Sequence, residues 1–213
     1  MTLIIAVVSQ KGGVGKSTLV RALAKSAAEN KMKVKVADLD TQQGTTMNWH
    51  RRRLDNGYDP VGSFEVFRSA EQALSACGND VDLLIIDAPA RASKGTRAIA
   101  ESADLVVQPT GASLDDLEPA ILVFHEMVKN RIPRDKLAFA ICRVGTDAEY
   151  QDCRDYLGQT GYTILDGCIP ERPSYRQTQN LGLSVLETRY NTLNDRADEL
   201  MQSLVKRLEA LLG

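Results

Sequence analysis

The sequence predicts an α/β fold: a mostly parallel sheet with helices on both faces, in a single domain running from residue 1 to 213. Three observations predict it. Apolar runs of strand length recur from end to end of the chain. Segments whose apolar residues repeat at helical spacing alternate with them. The first apolar run passes through a glycine-rich turn straight into a helical pattern, the order of a strand–turn–helix unit. At 213 residues and 43% apolar composition the chain can bury one sizeable core, and 25% charged residues is the balance of a folded, water-exposed protein.

The elements follow in order. Leu3 to Val8 is a continuous apolar strand, and a helix runs from about Lys16 to Asn30. Leu19, Val20, Leu23, Ala24, Ala27 and Ala28 recur on one face of that helix. Val34 to Asp38, Leu83 to Asp87, Leu105 to Gln108 and Leu137 to Cys142 read as further buried strands, with Thr163 to Ile169 short and near the sheet edge. Helices are expected at about Ala70 to Ala76, Leu117 to Lys129, Ala148 to Leu157 and Asn191 to Leu212. The last places Leu193, Ala197, Leu200, Leu204, Leu208 and Leu211 on one face. No internal repeat, low-complexity tract or linker interrupts this pattern. In such sheets ligands bind at the carboxyl ends of the strands.

Composition narrows the function classes. A net charge of −2 gives no global attraction for nucleic acid, so any such contact must come from a local basic patch. Cys77, Cys142, Cys153 and Cys168 lie far apart with no C-x-x-C pair, which favours buried thiols over metal ligation or disulfides. The first apolar run has no basic leader and is too short to span a membrane. A cytoplasmic protein with no stable membrane insertion is expected.

The chemistry-bearing segment is Lys11-Gly12-Gly13-Val14-Gly15-Lys16-Ser17-Thr18. Its glycines let successive backbone N–H groups turn onto phosphate oxygens, and the helix that begins near Lys16 adds its positive dipole end. Lys16 would reach the β- and γ-phosphates, the Ser17 hydroxyl would ligate Mg²⁺, and Thr18 would support the α-phosphate. Four apolar residues followed by Asp87 form the strand-end carboxylate that such sites hold near the metal. The expected activity is that of a P-loop nucleoside-triphosphatase.

One detail departs from the common loop. Gln10 stands where a first glycine is usual, and Lys11 supplies a second lysine. This K-G-G-x-G-K-[ST] pattern resembles the ParA/MinD family of ATPases, and the resemblance covers nearly the whole chain. It implies ATP and Mg²⁺ as cofactors and a homodimer formed on ATP, with Lys11 reaching across the interface to the partner's nucleotide. Val36 to Gln43 resembles the family's D-x-D-P-Q segment, with Thr41 in place of proline. Asp40 then matches the residue that positions the attacking water, and Asp38 would lie nearer the metal's outer shell. Asp87-Ala88-Pro89-Ala90 stands where the family often has D-T-P-P.

Where the family often carries Asn-Arg after a late strand, this chain has Cys142-Arg143. The loop Ile169-Pro170-Glu171-Arg172-Pro173 could hold the base instead, with Arg143 or Arg172 stacked on it or simply solvated. No guanine-reading N-K-x-D is present, so a preference for ATP rests on the resemblance.

Gln42 to Trp49 and Pro170 to Leu186 look like parts of small ParA-type partition ATPases without an N-terminal helix-turn-helix extension. Such members bind DNA without sequence preference and associate with the nucleoid. A partner, a ParB-like or cargo adaptor protein, stimulates their slow hydrolysis. Candidate DNA contacts are Arg172, Arg176, Arg189, Lys206 and Arg207, each of which could equally be a solvated charge. The run His50-Arg51-Arg52-Arg53 is a further candidate, against a plain exposed helix face. A MinD-like membrane ATPase, a metal-cluster carrier and an ATP-dependent small-molecule ligase are the competing readings. Asp195, Asp198, Glu199 and Glu209 count against a membrane-binding tail, and the missing cysteine pair counts against a cluster carrier.

Overall fold

The computed structural model describes residues 2–42, 44–89 and 94–212. The strands are β1 Leu3–Val7, β2 Val34–Asp38, β3 Ser63–Val66, β4 Leu83–Asp87, β5 Leu105–Thr110, β6 Leu137–Ile141 and β7 Thr163–Ile164. They form one sheet in the order β3-β2-β4-β1-β5-β6-β7, with every neighbouring pair parallel. The expected mostly parallel sheet is thus parallel throughout.

Burial on both faces explains the near-continuous apolar strands. One face of the sheet offers Ile5, Val7, Val36, Ile85 and Val107 to α1 (Lys16–Glu29), α2 (Thr45–Asp55), α7 (Pro173–Asn180) and α8 (Asn191–Leu212). The other offers Ala6, Val8, Ile86, Val106 and Phe139 to α3 (Ala70–Ser75), α4 (Lys94–Ser102), α5 (Leu114–Lys129) and α6 (Asp147–Gly158). Helix starts follow local chemistry. The Thr146 side chain accepts from Glu149 N at 3.2 Å to cap α6, and Ser69 accepts from Gln72 N at 3.3 Å to cap α3. Asp115 and Asp116 lie in the first turn of α5.

Strand β3 and helix α4 had no expectation. Edge strand β3 buries only Phe64, so it carries little apolar signal. Both α4 and α2 are polar for much of their length. In place of a strand from 163 to 169, β7 has two residues, and the sheet resumes as a lone bridge between Cys142 and Ile169. The cysteines are free thiols, with Cys142, Cys153 and Cys168 buried. Among the described residues no helix is long and apolar enough to cross a membrane.

Topology sets where chemistry can occur. β1 lies at the centre, between β4 and β5, and register pairs Val7 with Asp87 and Asp87 with Asp38. Both strand-end carboxylates therefore stand level with the last residue of β1, beside the loop that follows it.

Candidate functional site

The loop after β1 turns through Gly13 (φ 82°) and Gly15 (φ 103°), and Gly15 caps α1. A Cβ at Gly15 would stand 3.1 Å from Cys142 Cβ, so position and backbone angle both require glycine there. The α1 N-terminus has no side-chain cap, which leaves its first N–H groups for a ligand. Above the loop opens a cavity of about 440 Å³.

The cavity brings together most of the expected residues. Lys11, Gly12, Gly13, Gly15, Lys16, Ser17, Thr18 and Asp40 line one side, and Arg143, Pro170 and Arg172 the other. Val14 is buried. Beneath the loop, Asp87 is 3% exposed and accepts from three side chains. Lys16 Nζ lies 3.1 Å from Oδ1, Ser17 Oγ 3.0 Å from Oδ2 and Thr46 Oγ1 2.6 Å from Oδ2. Ser17 and Asp87 are the hydroxyl and carboxylate that would hold Mg²⁺, and their adjacency at the base of an anion-binding loop fits that ion with a nucleotide.

Asp38 stands beside Asp87 in the sheet register and is held by backbone donors. Its Oδ1 accepts from Asp40 N at 3.0 Å, and its Oδ2 from Thr46 N at 3.1 Å and Met47 N at 3.4 Å. It therefore fixes the segment from Asp40 into α2. Burial, and then the charge of Asp87, raise its pKa, while those three backbone N–H groups oppose the rise. Gln43 and Ala90, the ends of the two carboxylate segments, lie outside the described residues.

Lys11 stands at the rim with its side chain 45% exposed; its Nζ meets Asp116 Oδ1 at 2.5 Å and the Asp115 carbonyl at 3.1 Å, both on α5. Across the cavity, Arg143 (φ 59°) bridges the two walls: its Nη1 donates to Gly13 O at 2.5 Å and its Nε to Glu171 Oε2 at 2.9 Å. Glu171 also pairs with Arg176. The Arg172 guanidinium donates to Gly145 O at 3.0 Å and to Glu171 O at 2.9 Å.

The five basic residues expected to meet DNA do not form one patch. Arg172 and Arg176 lie along the cavity, and the Arg189 guanidinium is 4.9 Å from the centre of the Tyr190 ring. Lys206 lines a polar groove with Tyr150, Arg154, Asp166 and Glu199, and Arg207 donates to the carbonyl of Asp135. The Tyr175 hydroxyl meets Leu193 O near the start of α8 at 2.7 Å, whereas Lys206 and Arg207 lie almost four turns on, roughly 20 Å along the helix. The run after Trp49 divides too. Arg51 and Arg52 are exposed, while Arg53 is 3% exposed and holds Glu187 through two bonds of 2.8 and 2.9 Å.

Three site residues carried no expectation. Thr46 bonds Asp87, and Arg21 and Gln179 also line the cavity. Only Arg21 left a signal, as a lone charge between Val20 and Leu23 on an apolar helix, three residues after Thr18.

With this geometry in view, similarity to known proteins is informative. Residues 5–185 match the family described as the CobQ/CobB/MinD/ParA nucleotide binding domain. An uncharacterised ATP-binding protein of Methanocaldococcus jannaschii is 30% identical over 220 residues, covering 85% of this chain and 79% of its own. The septum site-determining protein MinD of Pyrococcus horikoshii, complexed with Mg-ADP, superposes with a TM-score of 0.73 at 18% identity, covering 99% of each chain. A plasmid partition protein assigned to Borrelia burgdorferi, bound to AMPPNP, gives a TM-score of 0.70 at 18% identity, covering 97% of this chain and 99% of its own. At such identities the two structures establish a shared fold.

Proposed function

Because the chain belongs to the CobQ/CobB/MinD/ParA nucleotide-binding domain family, we propose that it is a single-domain, DNA-based partition or positioning ATPase. It would dimerise on Mg-ATP, hold DNA without sequence preference and hydrolyse ATP slowly under a partner protein's control. One observation carries the reading: Lys16 and Ser17 converge on Asp87 beneath a glycine cradle, while a second lysine, Lys11, stands at its open rim.

Each residue then has a task. Backbone N–H groups of the loop and Lys16 hold the β- and γ-phosphates, and Thr18 the α-phosphate. Ser17 and Asp87 hold Mg²⁺, which when bound neutralises charge building on the phosphate oxygens. Asp40, fixed by the Asp38 turn, orients the water that attacks the terminal phosphorus. Lys11 would reach across the dimer interface to the partner's nucleotide from the rim, where its side chain meets Asp115 and Asp116 at the start of α5. An incoming cation of this kind raises rates by ~10³–10⁵ in other phosphoryl-transfer sites. Arg143 and the Pro170–Arg172 segment flank the space left for the base.

DNA contact would fall to Arg172 and Arg176 along the cavity, where two facing subunits double their number, and to Arg189. The acidic surroundings of Lys206, including Asp166 and Glu199, make it a weaker candidate. Nucleoid association and a ParB-like or cargo adaptor partner belong to the same proposal. The test is retention of random-sequence DNA with ATP against ADP across a salt series. Retention that needs ATP and falls steeply with salt supports the proposal. Absence of retention in both states, with ATP turnover intact, overturns the DNA role and turns attention to lipid vesicles and small-molecule substrates.

A further inference from the structure

Arg21 is 7% exposed on α1, one turn beyond Thr18, and it is tied to two other elements. Its Nη1 donates to Gln179 Oε1 on α7 at 2.8 Å, and the same oxygen accepts from Thr18 Oγ1 at 3.2 Å. Its Nη2 donates to the Thr45 carbonyl, at the first residue of α2, at 2.9 Å. Its guanidinium carbon lies 5.6 Å from the ring centre of Trp49, and its Nε is buried without a hydrogen-bond partner. We propose that Arg21 is a positioning residue that, through Gln179, couples the occupancy of the phosphate loop to the placement of α2 and α7.

The argument is one of shared acceptors. Gln179 Oε1 serves both Thr18 and Arg21, so a ligand that engages the Thr18 hydroxyl removes one of its two donors. Arg21 is the group able to answer, because it holds an unused N–H. Burial lowers its pKa to about 10, which leaves it charged at neutral pH. A buried cation does not abandon its acceptors without large cost, so the guanidinium and its acceptors move together. Those acceptors stand where movement matters. Thr45 precedes Thr46, which holds Asp87, and Gln179 shares its helix with Arg176 at the cavity wall.

The inference rests on the proposed reading of the cavity as a nucleotide site, and one experiment separates the two. Trp49 is the chain's single tryptophan, and a cation near its ring makes its emission sensitive to where Arg21 lies. Emission is recorded during Mg-ATP and Mg-ADP titrations of the wild type, Arg21→Ala, Arg21→Lys and Gln179→Leu, with affinity measured independently by calorimetry and turnover by phosphate release. Gln179 is only half-buried, so its variant should fold even where a truncation of Arg21 does not. The wild type is expected to change emission on saturation. Gln179→Leu should bind Mg-ATP within about tenfold of wild type yet lose most of that change, and its kcat should fall by more than its affinity. Arg21→Lys should restore part of the response that Arg21→Ala removes. A full wild-type response and turnover in both Gln179→Leu and Arg21→Lys overturns the inference, as does a wild type that binds Mg-ATP with Trp49 unmoved. A wild type that binds no nucleotide overturns the functional reading and this inference with it.

Discussion

Thr46 Oγ1 donates a 2.6 Å hydrogen bond to Asp87 Oδ2, joining the second residue of α2 to the last residue of β4. Thr46 is fully buried, and its backbone N–H also donates to Asp38. One residue thus orients the strand-end carboxylate with its side chain and the neighbouring carboxylate with its backbone. Thr46→Val keeps the shape and deletes the hydroxyl, leaving Asp87 with Lys16 and Ser17. The expected cost is about 1–2 kcal/mol of stability, with a drop on the order of tenfold in Mg-dependent ATP turnover. Thermal melts and phosphate release check both, and a variant equal to wild type in both would remove Thr46 from the site.

That contact marks the boundary of what sequence could reveal. The phosphate loop was legible because its chemistry is local: glycines that must adopt positive φ and a lysine–serine pair sit within eight residues between a strand and a helix. Asp87 was legible for the same reason, at the end of an apolar run. Thr46, Arg21 and Gln179 act across 41, 24 and 161 residues in their bonds to Asp87, Thr45 and Thr18, and nothing local marks such pairings. The turn at Gly182 shows the same limit. A Cβ there would come within 2.3 Å of Arg53 N, so α2 dictates the glycine from 129 residues away. Strand β3 escaped because an edge strand with one buried side chain has little period to read.

Lys16 and Asp40 should separate binding from chemistry. Lys16 contacts Asp87 at 3.1 Å in the heart of the loop, so Lys16→Ala should abolish measurable Mg-ATP affinity. Asp40 lines the cavity in the segment that Asp38 fixes. Asp40→Ala should keep nucleotide and lower hydrolysis by ~10²–10³, accumulating an ATP-bound dimer. Calorimetry, phosphate release and light scattering read the three quantities. Wild-type hydrolysis in Asp40→Ala would rule out its role in orienting water.

Gly15→Ala should fail where Gly12→Ala folds. Gly15 has φ 103° and a new Cβ 3.1 Å from Cys142 Cβ, whereas a Cβ at Gly12 meets nothing within 4 Å. The backbone strain at Gly15 costs roughly 1–3 kcal/mol before any loss of phosphate contact. Denaturant midpoints of the two variants provide the comparison. Equal midpoints would mean the loop does not need this conformation for stability.

Arg53 should behave as a core residue despite lying in an arginine run. It grips Glu187 with two bonds, and the Glu187 carboxylate also accepts from Ser184 N at 2.7 Å. Burial alone would raise the Glu187 pKa, but hydrogen bonds from Arg53 and Ser184, with the charges of Arg53 and Lys25, hold it below the ordinary value. Arg53→Ala strands that carboxylate and should cost about 3–5 kcal/mol. Arg51→Ala and Arg52→Ala, on the exposed face, should stay within about 0.5 kcal/mol of wild type. Urea unfolding distinguishes these outcomes, and a mild Arg53→Ala would show that the pair is not a tie between α2 and the segment after α7.

His50 should give stability a pH dependence of definite sign. It is 7% exposed, stacks on Phe64 with ring centres 4.1 Å apart and planes 11° apart, and buries Nδ1 without a hydrogen-bond partner. Burial, and then the charge of Arg53, push its pKa below the ordinary 6.5. Above 6.5 the imidazole is neutral in both folded and unfolded chains, and the full stability is present. As pH falls through that value the unfolded chain takes up a proton that the folded one resists, so stability is lost until the folded pKa is passed. Urea midpoints of the wild type should therefore decline from about pH 7.5 towards pH 5 more steeply than those of His50→Gln, which has no group to titrate there. Parallel declines would mean that the folded chain protonates His50 as readily as water does, and the stacked, buried ring would then have to open in the native state.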